Sequence, residues 1–219
     1  MKDSFANRLL IKENKLKRIT NSISRRYKFF TLCLNPKHHK TVGAIGSSSM
    51  FLSKKMANII DSSLTPKKIL EVGAGTGPIT KYILKKLQPN DTLDVVEITQ
   101  DFIPALKSMC KNYPQSNVFN NSILDFKPNY KYDYIVSSLP FSVFSAEMLS
   151  NILKHYANLI KEGGTIVYFQ YIFADKISKF KDKEISKLIR NFRKNFKVSK
   201  KVEYRNLLPA IVWVLENKL

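Results

Sequence analysis

Residues 69–77 read Ile-Leu-Glu-Val-Gly-Ala-Gly-Thr-Gly, and Pro78 follows. The short, mainly aliphatic run predicts a buried strand. Glycines at alternate positions then predict a tight turn in which the backbone can approach a ligand with no Cβ in the way. Pro78 predicts a helix start, because its missing N–H would be unpaired in a first turn anyway. Strand, glycine turn and helix N-terminus make the ligand-binding corner of a doubly wound α/β sheet.

The glycine spacing narrows the ligand. Gly73-x-Gly75-x-Gly77 brings the third glycine one residue earlier than G-x-G-x-x-G. No G-x-x-x-x-G-K-S/T occurs, so the phosphate-cradling P-loop reading fails. About 20 residues on, Leu93-Asp94-Val95-Val96-Glu97 reads as a second strand ending in an acid, where this fold class keeps a ribose-binding carboxylate. One carboxylate can accept two hydroxyl hydrogen bonds at once. A third strand, Tyr132-Asp133-Tyr134-Ile135-Val136-Ser137, runs into Ser138-Leu139-Pro140-Phe141. Taken alone, that stretch is a strand followed by an ordinary proline turn.

Glu-Val-Gly-Ala-Gly-Thr-Gly resembles motif I of class I S-adenosyl-L-methionine (SAM)-dependent methyltransferases. The resemblance implies a Rossmann-like fold with a seven-stranded, mainly parallel sheet ending in an antiparallel strand, plus an N-terminal helical extension here. It implies cofactor contacts at Glu71, Gly73, Ala74, Gly75 and Gly77 in the loop, and at Glu97 and Ile98 after the second strand. The adenine contact is assigned to the loop containing Ser122 and Ile123, although Ser122 stands where related enzymes often carry Asp. Ser138, Leu139, Pro140 and Phe141 occupy the position of motif IV, which faces the transferred methyl; Ser138 counts toward both cofactor and catalysis.

The remaining elements follow from periodicity. Helices are expected at 50–61 (capped by Ser48 or Ser49), 78–87, 100–112, 143–161 and 174–195. Strands are expected at 68–72, 92–97, 117–120, 133–137, 165–171, 197–205 and 210–216. Strands alternating with helices imply a mainly parallel sheet.

Composition bounds the partners. The chain has 219 residues, 44% of them hydrophobic, and a formal net charge of +20. Residues 1–40 carry net +9, residues 176–205 another +9, and residues 41–175 only +2. Charge gathered in two flanks implies a polyanionic partner, either nucleic acid or an anionic leaflet. Apolar side chains at Phe5, Leu9, Leu16, Ile19, Ile23, Tyr27, Phe30 and Leu34 fall on one helical stripe between basic residues. Such a helix lies in a membrane interface or packs on a domain, and periodicity does not separate the two. Cys33 and Cys110 stand far apart with no His/Cys cluster, so no metal is expected and a reducing cytoplasm is the natural compartment. No apolar run of about 18 residues or more exists to span a bilayer, and no secretory signal is read at the N-terminus.

Four blocks together resemble the bacterial phospholipid N-methyltransferases, which methylate phosphatidylethanolamine towards phosphatidylcholine. They are Val42-Gly43-Ala44-Ile45-Gly46-Ser47-Ser48-Ser49, the glycine motif, Val136-Ser137-Ser138-Leu139-Pro140-Phe141, and Arg205-Asn206-Leu207-Leu208-Pro209-Ala210-Ile211-Val212-Trp213. Ser47 and Leu208 replace prolines of that family's pattern. The resemblance implies residues 1–62 as a membrane-docking and site-covering extension and 63–219 as the catalytic domain. It also implies a phospholipid substrate, an anionic membrane as partner and a peripheral place on the cytoplasmic face. Tyr171 and Phe141 become candidates to contact a methylated cation by their ring faces. Ser48, Ser49, Arg205 and Asn206 become candidates for substrate binding.

The rival is an RNA adenine dimethyltransferase of the rRNA type, which shares motif I and a Leu-Pro-aromatic motif. Ser138 stands where that family has Asn, and only about 80 residues follow Pro140, short of its C-terminal RNA-binding subdomain. Lipid is therefore the leading expectation and nucleic acid the lesser one. A non-enzymatic binder comes third.

Overall fold

The structure, a computed structural model, describes residues 49–62, 66–172, 183–206 and 209–218. The expected helix within 4–34, residues 42–48 of the first family block including Ser48, residues 174–182 of the expected basic helix, and Leu207 and Leu208 of the last block lie outside the described residues.

Seven strands form one sheet: β1 (Lys68–Val72), β2 (Thr92–Glu97), β3 (Ser116–Asn120), β4 (Tyr132–Ser137), β5 (Ile160–Tyr171), β6 (Phe196–Glu203) and β7 (Ala210–Asn217). Their order is β3-β2-β1-β4-β5-β7-β6. β1 pairs parallel with β2 and β4, β2 with β3, and β4 with β5. β7 runs antiparallel to both β5 and β6, so it alone is reversed and β6 points the same way as the first five. The expected mainly parallel sheet with one closing antiparallel strand is the fold observed.

Helices cover both faces. On one, α1 (Met50–Ala57), α2 (Thr80–Leu84) and α3 (Ile103–Cys110) bury Leu52, Met56, Ile83 and Leu106 against Ile69, Val95, Val136 and Val212. On the other, α4 (Ala146–Leu159) and α5 (Lys183–Arg193) bury Leu149, Ile152, Ile185 and Ile189 against Leu70, Val72, Ile135 and Leu215. Burial on both faces explains why the central strands read as continuous apolar runs. α1 belongs to this core: Leu52, Met56, Ala57 and Ile60 are fully enclosed.

Several helices are shorter than periodicity suggests. α2 spans Thr80–Leu84 rather than 78–87, because its flanks close with tighter bonds such as Tyr82 N–H to Ile79 O and Lys86 N–H to Ile83 O. Pro78 therefore sits in the turn ahead of α2. The segment 100–112 splits into a 3₁₀ turn (Gln100–Phe102) and α3. β5 begins at Ile160, five residues early, with a register shift opposite Tyr132/Tyr134 and Gly163 at φ 70°.

Candidate active site

The carboxyl ends of β1, β2, β4 and β5 lie along one edge of the sheet, where ligands bind in open α/β folds. The glycine loop leaves β1 there. Gly73, at φ 72°, donates its N–H to Val96 O at 2.9 Å. A Cβ on it would stand 2.8 Å from Leu139 Cδ2, so the glycine lets the loop lie directly against the Leu-Pro turn after β4. Gly75, at φ 57°, donates to Glu97 Oε2 at 2.7 Å, and a Cβ there would meet nothing within 4 Å. The loop thus opens onto free space at Gly75. Ala74 is buried between them, its carbonyl accepting the Gly77 N–H at 3.0 Å, and Gly77 packs against Met109 of α3.

Glu71, in β1, is 0% exposed. Thr80 lies alongside it, yet neither carboxyl oxygen nor the Thr80 hydroxyl finds a well-aligned hydrogen-bond partner. Burial pushes the Glu71 pKa up to about 8; Thr80 moderates the rise and the Glu97 carboxylate adds to it. A buried carboxyl without a well-aligned partner, next to the glycine loop, is a group that a ligand's ammonium could satisfy.

Glu97, at the end of β2, is buried and divides its carboxylate between Gly75 N–H and Thr99 N–H, the latter at 2.8 Å. Each oxygen keeps acceptor capacity for a further donor. The next residue, Ile98, is 69% exposed, an apolar surface at the rim that a flat ring could cover. Asn120 Nδ2 fixes this corner by donating to Glu97 O at 3.0 Å and Ile98 O at 3.1 Å. Ser122 is occupied locally: its carbonyl accepts from Asp125 and Phe126, and its hydroxyl from Leu124 N–H at 3.3 Å. Ile123 is buried beside Val96 in the core.

At the end of β4, Ser138 N–H donates to Val72 O at 2.9 Å, which ties the Ser-Ser-Leu-Pro turn to β1. Ser137 Oγ accepts from Leu139 N–H at 3.3 Å and from the Tyr156 hydroxyl at 2.9 Å. Leu139 O accepts from Phe141 N–H at 3.0 Å across Pro140, whose φ of −80° and ψ of 80° make an inverse γ-turn. The Leu139 carbonyl is therefore engaged, while the turn itself supplies no donor to the Ser138 carbonyl.

Phe141 is only 6% exposed, its ring 4.9 Å from Tyr168 and 6.4 Å from Tyr156. It packs beneath the turn. Tyr171 ends β5, half-buried, edge-on to Phe169 at 5.3 Å.

Two contacts escaped the sequence reading. Arg193 of α5 donates to the Tyr168 hydroxyl at 2.6 Å and lies 3.4 Å from the Trp213 ring centre, so it backs the aromatic stack under the turn. Asn206 Oδ1 accepts from Ser49 N–H at 2.9 Å, while Ser49 Oγ caps α1 through Leu52 N–H at 3.2 Å. That bond joins the residue before α1 to the segment that follows β6. Arg205 does not stand free: it grips Glu203 at 3.0 Å and covers the Phe51 ring at 4.1 Å. Lys55 holds the same carboxylate at 2.9 Å and also donates to Val202 O. The Arg205 guanidinium, with help from Lys55 and against a desolvation cost, draws the Glu203 pKa down to about 2. Among the described residues no cluster of His, Cys, Asp and Glu is placed to hold a metal. No described helix is long and apolar enough to cross a membrane.

Comparison with known proteins finds methyltransferases. The chain is 27% identical to malonyl-acyl-carrier-protein O-methyltransferase 1 of Ilyobacter polytropus over 59% of its own length and 47% of that protein. It is 27% identical to ornithine lipid N-methyltransferase of Singulisphaera acidiphila, covering 59% of this chain and 70% of the relative. With ribosomal RNA small subunit methyltransferase A of Pelagibacter ubique it shares 32% identity over 62% of the chain and 50% of that protein. The chain spans about half the length of the first curated relatives it matches. The N-methyltransferase NodS of Bradyrhizobium japonicum, solved with S-adenosyl-l-homocysteine, has the same fold: TM-score 0.60, 14% identity, 75% of this chain and 85% of NodS covered.

The residues suit the cofactor of such enzymes. Its ammonium matches the orphaned Glu71 carboxyl, its ribose hydroxyls the remaining acceptor capacity of Glu97, its adenine the exposed Ile98, and its bulk the opening at Gly75. The family described as AdoMet dependent proline di-methyltransferase matches residues 38–206, and the chain belongs to that family of SAM-dependent methyltransferases.

Proposed function

We propose that the chain transfers methyl groups from SAM to the head-group amine of phosphatidylethanolamine and its mono- and dimethyl forms. The observation that carries an amine acceptor is the turn at the end of β4. It abuts the glycine loop, holds no carboxylate, imidazole, amine or thiol, and has its buried hydroxyl, Ser137 Oγ, committed to Tyr156 and Leu139. A hydroxyl acceptor would need a positioned base. A primary amine can shed its ammonium proton to water before it binds, and then needs only to be held in line with the sulfonium methyl, a task we assign to the Ser138 carbonyl beside Pro140. SAM supplies the methyl as an electrophile, and the protein supplies alignment and a dry site. The lipid form of the amine is supported by the ornithine lipid N-methyltransferase relative and by the gathered positive charge. The expected N-terminal docking of residues 1–34 on an anionic membrane belongs to this same reading.

Labelled SAM tests it. Purified chain is incubated with phosphatidylethanolamine in mixed micelles, with stripped rRNA, and with a peptide bearing an N-terminal proline. Label in lipid, converting stepwise towards phosphatidylcholine, is expected. Label in RNA or peptide alone would defeat the lipid reading.

A further inference from the structure

α1 presents one outward face that the core does not use. Met50 is 49% exposed and Phe51 36%, and Lys54, one turn on, is exposed as well. At one end of this face Arg205 covers the Phe51 ring, and its neighbour Tyr204 is 73% exposed. At the other end the Lys54 ammonium lies 5.7 Å from the Tyr82 ring, which Lys81 and Lys85 also approach, at 5.0 and 5.9 Å. None of the three lysines is within ion-pairing distance of an acid among the described residues. Three like charges converge on one aromatic ring, and the neighbouring tip of the helix holds large apolar side chains in water.

That combination has a physical meaning. Apolar and aromatic side chains flanked by unpaired cations are what an acyl–head-group boundary accommodates: the apolar groups enter and the ammoniums reach anionic head groups. The start of α1 lies at the same edge of the sheet as the glycine loop, since the Ser49–Asn206 bond ties it to the segment following the carboxyl end of β6. We propose that the α1 face, from Tyr204 and Phe51 to Lys85, docks the folded domain on an anionic bilayer, with the carboxyl edge of the sheet turned to the lipid. The inference rests on the lipid reading of the site, and it assigns docking to the folded domain in addition to residues 1–34.

The test reads location and uses the full chain. Phe51→Trp keeps a ring under Arg205 and adds a second tryptophan to Trp213, whose signal in the parent chain is subtracted. Vesicles of phosphatidylcholine and phosphatidylglycerol with brominated acyl chains contain no amine to methylate, so docking is measured apart from chemistry. We expect the added tryptophan to be quenched on these vesicles and not on pure phosphatidylcholine. Changing Lys54, Lys81 and Lys85 together to Gln should lower partitioning on the order of 100-fold. Methylation of micellar phosphatidylethanolamine, which needs no docking, should survive that change. Flotation without quenching of the added tryptophan would mean another surface docks and would overturn the proposal. So would unchanged partitioning of the triple variant, or lysine-dependent binding of an RNA oligonucleotide with no quenching by lipid. Quenching with no lipid methylation would leave the docking face standing and remove the substrate reading instead.

Discussion

At the scale of single residues, Glu71 decides how the cofactor and the proton are linked. Glutamate in an unfolded chain titrates near 4.3, whereas the buried Glu71 carboxyl titrates at about 8. Between those values the folded chain holds a proton that the unfolded chain has released. The cofactor-free protein therefore loses stability as pH rises from about 4 through 8, by an amount on the order of 3 kcal/mol at neutral pH. The groups facing this carboxyl are the Thr80 hydroxyl and amide, the Glu97 carboxylate and the Cys110 thiol, and none is a cation that would ionise it in the absence of ligand. A bound ammonium changes that. Cofactor binding at pH 7 should release close to one proton, seen as binding heats that differ between phosphate and Tris buffers. Glu71→Gln should abolish the difference and weaken SAM by about 10-fold or more, the worth of a hydrogen bond to a charged group. Buffer-independent heats in the parent chain would show that binding does not ionise Glu71 and would overturn this proton linkage.

At the scale of elements, the turn after β4 holds the chemistry by shape. Pro140 fixes its own φ, the Phe141 N–H locks back onto Leu139 O, and Phe141 is anchored by Tyr168 and Arg193 below. Pro140→Ala should cost only about 0.4–1 kcal/mol of stability, through the freer unfolded chain. It should lower kcat by roughly 10-fold or more, because small misplacements of a reacting pair are expensive. SAM affinity should stay the same, since the glycine loop and Glu97 are untouched. A matching fall in SAM affinity, measured by calorimetry, would mean the turn belongs to the cofactor site instead. The glycine loop, Glu97 and this turn were legible because each is a local signal: a strand end, then glycine, acid or proline within a few residues. The anchor below was not legible. Phe141 read as a candidate to contact a methylated cation, and its packing on Tyr168 and Tyr156 joins positions too far apart in the chain for a local signal to reveal. Arg205 read as a candidate for substrate binding; its ring contact with Phe51 joins positions far apart in the chain, which no local signal reveals. The boundaries of α2 and of β5 escaped because end turns with tight bonds and a positive-φ glycine carry no apolar period.

At the scale of the molecule, the sheet separates two duties. Its carboxyl edge gathers the glycine loop, Glu97, the Leu-Pro turn and the Ser49–Asn206 closure, with an orphaned carboxyl and exposed apolar groups that a ligand would satisfy. Its opposite edge is self-satisfied. Lys67 and Asp91, both buried, pair at 2.7 Å, and Asp91 also accepts the N–H groups of Lys67 and Gln88. Nearby, Asp94 takes the hydroxyls of Tyr130 and Tyr132 at 2.6 Å each and the Asn117 amide at 2.9 Å. Asp133 holds Lys161 at 2.8 Å and the Lys68 N–H at 2.7 Å. This edge locks the starts of β1, β2 and β4 in register, and it is where stability should reside independently of the reaction. Asp91→Asn takes the Asp91 charge away from the buried Lys67 ammonium, a change that costs about 3–5 kcal/mol when a buried pair loses one member. Denaturant unfolding should show that loss as a lower midpoint with an unchanged slope. The folded fraction should bind SAM with the parent affinity, because no atom of the pair reaches the glycine loop or Glu97. A tenfold weaker affinity in the folded variant would mean that strand register at one edge sets ligand geometry at the other, and the separation of duties would fail.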